Sequence, residues 1–391
     1  MIEFPKLPHL LKYMGSKREI LDFIVKEIEN LDIRAEWFCD LFSGTSIVGC
    51  SLKNKYHLHL NDIQDYSAIF AHTYLTNFNT SISKDFIREL QEKTQILINE
   101  FYKKYPDLKF HYSSQNTLQQ ITEIEKIQRA LIDKEFDIGF HLFTKFYSGT
   151  YWSCEQCVFI DSIRAIAESY KGKLEYYAIL SSLIYAMSYT SQSTGHFAQF
   201  RDMNKSNFSD IMIYRCRNFW PYFEKKFLEL LDELDSSYIY NNRITTLDYI
   251  DCLRIINENS IVYADPPYSA VHYSRFYHAI ETLVRYDYPQ VKYKGRYRND
   301  RHQSPFCKKT EVENAFVALF EGVKRRNSHL ILSYSDNGMI SQDKIMSIAD
   351  EIFDRSYSSN VISKSYVHSK MGRVDEHCMD VNELLITYKR V

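Results

Sequence analysis

The residues best suited to chemistry form one stretch, Asp265-Pro266-Pro267-Tyr268. It follows an apolar run, Ser260-Ile261-Val262-Tyr263-Ala264, that reads as a short buried strand. Two prolines in a row remove two backbone donors and hold the chain extended. A carboxylate, two fixed carbonyls and an aromatic ring therefore meet just past the C-terminal end of a strand, where open α/β sheets bind ligands. The Asp265 carboxylate and a proline carbonyl can both accept hydrogen bonds from one amino group. An exocyclic amine on an aromatic ring is a poor nucleophile because its lone pair is delocalised. Two fixed acceptors favour its tetrahedral form and free that pair for attack. Tyr268 supplies a face on which an extracted base can stack. The same four residues would also suit a plain Pro-Pro turn with the tyrosine in the core, so the surrounding elements must decide.

Three segments could position a ligand beside this corner. Glu36–Phe42 reads as a buried strand, and Ser43-Gly44-Thr45-Ser46-Ile47-Val48-Gly49 turns it into a helix. The turn is close to G-x-G-x-x-G, with Ser46 in the middle glycine's place. A second strand, Tyr56–Leu60, ends in Asn61-Asp62, and an acid about twenty positions after such a turn can bond ribose hydroxyls. Asp62 could equally cap the helical segment that follows it. Asp40 and Asp62, at two adjacent strand ends, predict a nucleoside pocket. Ahead of both, Leu10–Arg18 carries Gly15 between Lys12 and Lys17 and leads into an amphipathic helix, Glu19–Glu29. A turn of this kind at a helix start suits an anion or a carboxylate.

The 391-residue chain is long enough for two domains, and its 45% hydrophobic and 25% charged composition is that of a soluble globular protein. No apolar run has the length of a membrane span, and the N-terminus shows no secretory pattern, so a cytoplasmic protein is expected. Its eight cysteines are expected to be reduced thiols. The one close pair, Cys154 and Cys157, lacks a second pair or histidines nearby, and no metal is expected. A net charge of −2 confines any basic surface to local patches.

Between residues 65 and 241 helical periodicity dominates, clearest at Ile87–Tyr102, Leu118–Ile132, Ile160–Ser169 and Tyr176–Tyr189. Two glycine-containing turns, Tyr147–Trp152 and Ser191–Phe197, carry hydroxyls, amides and aromatics able to contact phosphates and bases. The α/β pattern returns near Ile244. After the central strand and a helix at Phe276–Tyr286 comes a basic stretch, Asp287–Thr310, with Lys292, Lys294, Arg296, Arg298 and Arg301 among Tyr288, Tyr293 and Tyr297. Basic residues interleaved with aromatics suit a nucleic-acid backbone. A helix, Glu311–Arg326, a strand, His329–Tyr334, a helix, Lys344–Phe353, and a terminal hairpin complete the chain.

Taken together the chain resembles the Dam-like, or alpha, group of DNA adenine amino-methyltransferases. The resemblance rests on Lys12-Tyr13-Met14-Gly15-Ser16-Lys17, Asp40-Leu41-Phe42-Ser43-Gly44-Thr45, Asn61-Asp62 and Asp265-Pro266-Pro267-Tyr268, in that order, with a long insert before the last. It implies a Rossmann-like α/β fold with a mixed seven-stranded sheet, formed by residues 1–64 and 242–391, and a mostly helical target-recognition insert at 65–241. It implies S-adenosylmethionine as cofactor, with Tyr13 and Lys17 near its methionine end, Asp40, Phe42 and Gly44 beneath it, Asp62 on its ribose and Asp248 near its adenine. Asp265 and Pro266 would hold the target amine, with Asp265 also beside the cofactor, Pro267 would keep the turn rigid, and Tyr268 would stack on an adenine flipped from double-stranded DNA. Asp before Pro-Pro resembles adenine methylation; Ser there would resemble cytosine amino methylation. The resemblance leaves open whether a cognate restriction endonuclease accompanies the chain. RNA or protein-amide methylation by the same fold, and a weakened DNA-binding member marked by Ser46, stay open too.

Overall fold

The computed structural model describes residues 4–75, 82–83, 85–113, 115–193, 195–234, 240–367 and 380–391. Its centre is a seven-stranded sheet. In chain order the strands are β1 (Trp37–Asp40), β2 (His57–Asn61), β3 (Asn242–Thr245), β4 (Ile261–Ala264), β5 (Val291–Lys292), β6 (Tyr297–Arg298), β7 (His329–Ser335), β8 (Tyr357–Val367) and β9 (Asp380–Arg390). The main sheet has the order β3-β2-β1-β4-β7-β9-β8, and β5 and β6 form a separate two-stranded hairpin. β3, β2, β1, β4 and β7 are mutually parallel, whereas β9 runs antiparallel to both β7 and β8.

Period-two alternation divides the strand residues between two cores. Phe38, Leu58, Leu60, Ile261, Tyr263, Ile331 and Leu385 face one side. Cys39, Val262, Ala264, Leu330, Leu332, Leu384 and Ile386 face the other. A sheet buried on both faces needs helices on both, which is why its central strands are apolar runs. The second core is closed by helices Tyr249–Ile255, Val312–Arg325 and Gln342–Phe353. The first is closed by Leu21–Asn30, Asp65–Tyr74 and His278–Arg285, and continues into the helices of the long segment between β2 and β3.

Among the described residues that segment is helical apart from an isolated bridge between Ser148 and Trp152: Phe86–Lys104, Leu118–Arg129, Leu142–Tyr147, Cys154–Glu168, Leu174–Thr190, Phe208–Arg215 and Trp220–Glu233 follow Asp65–Tyr74, with short 3-10 turns between some of them. Sequence reasoning missed three of these. In Trp220–Glu233 the apolar spacing is present, and Pro221 sits in the first helical turn, where proline is tolerated. Tyr147–Trp152 is not a surface loop. Tyr147, Tyr151 and Trp152 are fully buried, because their rings pack into the first core and their polar atoms bond inward. In the turn at 191–197, Thr194 lies outside the described residues, and Ser191 and Gln192 are buried. The expected single helix Phe276–Tyr286 breaks at Tyr277 into Tyr273–Phe276 and His278–Arg285.

Candidate active site

The C-terminal ends of β1, β2 and β4 open into a cleft with about 1030 Å³ of empty space, part of it continuous with solvent. Tyr13, Lys17, Asp40, Phe42, Gly44, Asp62, Asp248 and Asp265 all line it, and so do Pro266, Pro267 and Tyr268. Residues from five separate stretches of sequence thus share one cavity.

The turn after β1 is shaped from β2. The Ser43 N–H donates to the Asn61 carbonyl at 2.8 Å and the Gly44 N–H to Asp62 Oδ2 at 2.8 Å. Asp62 Oδ1 accepts from the Gln64 N–H at 2.9 Å, so the carboxylate holds the cofactor-type turn and the start of the next helix together. Gly44 has φ +49°, and a Cβ there would lie 3.2 Å from the Tyr13 hydroxyl. Asn61 bonds the Leu41 and Leu247 carbonyls through Nδ2 and the Leu247 N–H through Oδ1, which ties the loop carrying Asp248 to the end of β1.

Ser46 explains why glycine would be easier at its position. It has φ +59° and ψ 18°, it is wholly buried, and its hydroxyl has no partner among the described residues. Left-handed backbone costs an L-residue roughly 1–2 kcal/mol, set against the extra unfolded-state entropy of glycine. Ser46→Gly is therefore expected to stabilise the protein by about 1 kcal/mol, read as a higher urea midpoint at unchanged m-value. An unchanged or lower midpoint would contradict it.

Asp40 is buried beside this turn. Its Oδ2 accepts from the Gly49 N–H at 3.0 Å, while Oδ1 has no partner among the described residues. Burial pushes its carboxyl up to about 8 against the pull of the Gly49 N–H, and the charges of Asp265 and Asp62 add to the rise. An orphaned acceptor at a cleft wall fits a ligand that brings amine or hydroxyl donors. That is the donor set of an amino-acid nucleoside.

At the Asp265 end of the cleft Lys17 is 4% exposed, and its ammonium lies 3.1 Å from Asp265 and 2.7 Å from Glu383. Glu383 is itself completely buried on β9 and accepts from the Ser333 hydroxyl. The Lys17 side chain lines the cleft, but its charge is committed to two carboxylates. Asp265 keeps 20% of its side chain exposed. Burial raises its carboxyl to about 7; Lys17 pulls it down and Glu383 pushes it up. The Tyr268 ring is half-exposed, edge-on to Tyr334 at 6.0 Å, and the Tyr268 carbonyl accepts from the Met339 N–H at 3.0 Å. Tyr13 stacks on Tyr277 at 4.7 Å and on Tyr273 at 5.6 Å, beside Gly15, where a Cβ would come within 2.7 Å of the Tyr273 hydroxyl. Glu383, Ser333, Tyr273 and Tyr277 were not found from sequence. The available signal was one acid opening the apolar run Leu384-Leu385-Ile386.

The basic stretch divides. Lys292 and Lys294 are exposed, Lys294 paired with Asp202. Arg296 is half-buried and donates to the Arg129 carbonyl at 3.1 Å. Arg301 is half-buried and reaches Ser274 Oγ at 3.4 Å. Arg298 is not the exposed phosphate contact expected of it. It is 2% exposed, with its guanidinium bound by Asp287 at 2.6 and 2.8 Å and by Asp300 at 2.9 and 3.0 Å. Cys154 and Cys157 are buried in the first turn of their helix. A different trio, Cys39, His59 and Cys252, brings its ligand-type atoms within 4.8 Å of one another. There the Thr245 hydroxyl donates to Asn61 Oδ1 at 2.7 Å, so it accepts from His59 Nε2 at 2.9 Å. That ring nitrogen carries a proton and belongs to the network that fixes the Asp248 loop.

A seven-stranded sheet with one antiparallel strand, clad by helices on both faces and open to a ligand cleft at its parallel strand ends, is the architecture of a class I methyltransferase. Within that class the chain belongs to the D12 class N6 adenine-specific DNA methyltransferases, whose family model matches residues 13–348. It is 29% identical to the type II methyltransferase M.FokI of Planomicrobium okeanokoites, over 86% of this chain and 46% of that protein. It is 26% identical to the modification methylase LlaI of Lactococcus lactis subsp. lactis, over 87% of this chain and 48% of that one. With the type II methyltransferase M.NlaIII of Neisseria lactamica it shares 23% identity over 93% and 94% of the two chains. The chain spans about half the length of the first two and nearly all of the third. Among the described residues no helix is long and apolar enough to cross a membrane.

Proposed function

We propose that this protein transfers a methyl group from S-adenosylmethionine to the exocyclic amine of an adenine flipped out of double-stranded DNA. One observation carries the reading: the amine-holding corner, Asp265 to Tyr268, opens onto the same cleft as the Gly44 turn, Asp40 and Asp62. The cofactor would lie along Tyr13, Phe42 and Gly44, with Asp62 at its ribose, Asp248 at its adenine and the free Asp40 oxygen available to a donor. When bound it supplies an electrophilic methyl carbon on a sulfonium. Asp265 and the Pro266 carbonyl hold the adenine amine as acceptors, the Pro-Pro backbone keeps them from relaxing, and Tyr268 stacks the base. Holding reactants in line can supply on the order of 7–11 kcal/mol. Among the described residues no cysteine lines the cleft, and direct transfer needs no covalent enzyme intermediate on a thiol.

The helical segment at 65–241 and the β5–β6 hairpin would read and hold the duplex. The relatives are named type II methyltransferases or modification methylases, which favours a cytoplasmic restriction-modification or defence role, with a cognate endonuclease as the partner to seek.

Incubation with tritium-labelled cofactor and duplex DNA, RNA or bulk protein tests the reading, followed by modified-base sequencing of DNA from expressing cells. Label in DNA at the adenine amine supports it; label only in RNA or protein, or cofactor binding without transfer, overturns it. The lysines give a second measurement. Each phosphate contact contributes roughly 0.9 to the slope of log K against log salt. Lys292→Ala with Lys294→Ala is expected to flatten that slope by nearly two, and an unchanged slope would remove the hairpin from the DNA face.

A further inference from the structure

The β5–β6 hairpin carries an aromatic ring that lies mostly outside the protein's own packing, tilted against Tyr297 at 6.3 Å. Tyr293 at its tip is 80% exposed, the most exposed large apolar side chain among the described residues apart from C-terminal Val391. Its hydroxyl bonds to nothing described, whereas the other tyrosines of the segment are anchored. Tyr286 donates to Asp161 at 2.5 Å, Tyr288 to the Gly139 carbonyl at 3.0 Å and Tyr297 to the Ala198 carbonyl. The tip is also strained: Tyr293 has φ +61° and Arg296 φ +56°. Strain of this kind persists where the surroundings over-determine it.

The surroundings do so here. Val291 pairs with Arg298 and Lys292 with Tyr297, and the Arg296 N–H closes the turn on the Tyr293 carbonyl at 3.0 Å. Arg298 is clamped between Asp287 and Asp300, the Tyr151 hydroxyl donates to the Gly295 carbonyl at 3.1 Å, and Arg296 to the Arg129 carbonyl. The hairpin is thus a rigid arm, and its base adjoins the cleft. Arg275, in the short helix just past Tyr268, donates to the Tyr297 hydroxyl at 3.2 Å. Arg301 bonds Ser274, which lines the cleft wall. Exposed Lys292 and Lys294 flank the aromatic tip, Lys294 resting on the exposed carboxylate of Asp202, which a phosphate would have to displace.

A braced aromatic tip flanked by two lysines, on an arm whose base adjoins the cleft, matches the chemistry of a duplex with a gap in its stack: phosphates for the lysines and two base faces for the ring. Resting on the DNA reading above, we propose that Tyr293 enters the base stack at the position the target adenine vacates and so holds the base out of the helix. Lys292 and Lys294 set the depth of entry, and the buried Arg298 pairs keep the arm from folding back.

The test uses single-turnover methylation by the full-length protein of two duplexes, one with thymine opposite the target adenine and one with an abasic site there. Extrusion from the second needs little help, because the unpairing has already been done. Tyr293→Ala is expected to slow transfer about 10- to 100-fold on the paired duplex, consistent with the cost of unpairing and unstacking one base, and to leave the abasic duplex near the parental rate. Tyr293→Phe should retain the parental rate on both. Equal losses by Tyr293→Ala on both duplexes, or no loss on either, would overturn the proposal. A parent protein that methylates neither duplex nor any other DNA would instead defeat the reading on which it rests.

Discussion

Asp265→Ala is expected to reduce methyl transfer by roughly 10³-fold, the scale of losing a preorganised hydrogen-bonding group at the reacting atom, while the protein still folds and still binds S-adenosylmethionine. Folding should survive because Lys17 is not left as a buried lone charge; Glu383 remains 2.7 Å from its ammonium. Cofactor binding should survive because the groups assigned to it, Asp40, Asp62 and the Gly44 turn, are held by their own bonds to β2 and to Gly49. Asp265→Asn keeps one acceptor oxygen and loses the charge, so it should fall between the parent and the alanine variant. Isothermal titration with the cofactor and single-turnover transfer on DNA separate the two quantities. Turnover near the parental rate would remove Asp265 from the reaction. Loss of cofactor binding at unchanged stability would reassign it to the cofactor pocket.

What could be read in the sequence was what local chain chemistry dictates. Two consecutive prolines after a strand, a run of small residues between a strand and a helix, and an acid at the next strand end each constrain their own neighbourhood, and all three converge on the cleft. The buried character of the central strands was legible for the same reason, as short apolar runs. What could not be read depends on which strands lie side by side. Glu383 reaches Lys17 only because β9 inserts between β7 and β8, a pairing no spacing rule reports. Arg298 looked like its basic neighbours. Its role is set by Asp287 and Asp300 on either side of a hairpin, and two-residue strands leave almost no periodic signal. The turn at Tyr147–Trp152 has a loop's composition but sits in the core, since its rings pack there and its hydroxyls find internal acceptors.

The shared ammonium of Lys17 leads to a second large effect, with opposite signs at its two partners. Lys17 lowers the pKa of Asp265 and Glu383 raises it, on top of the rise that burial imposes. If Asp265 must be ionised to accept from the adenine amine, the rate climbs with pH through the pKa of Asp265, near 7 in this structure. Lys17→Met should move that acid limb to higher pH and Glu383→Gln should move it to lower pH. Stability carries the same signature. A carboxyl whose folded pKa lies above its unfolded value binds its proton more tightly when folded, so its contribution to stability falls as pH rises from about 4 to about 7 and is flat beyond. Glu383→Gln should shallow that fall and Lys17→Met should steepen it. Removing the cation alone leaves two buried carboxylates facing each other, a loss of about 3–5 kcal/mol. Lys17→Met with Glu383→Gln removes one charge of each sign and should recover part of it, a coupling on the order of 1–3 kcal/mol. Urea denaturation at pH 5 and pH 8 and pH profiles of single-turnover transfer give all four values. Limbs that shift in the same direction, or stability losses that simply add, would mean that Lys17 does not connect β9 to Asp265.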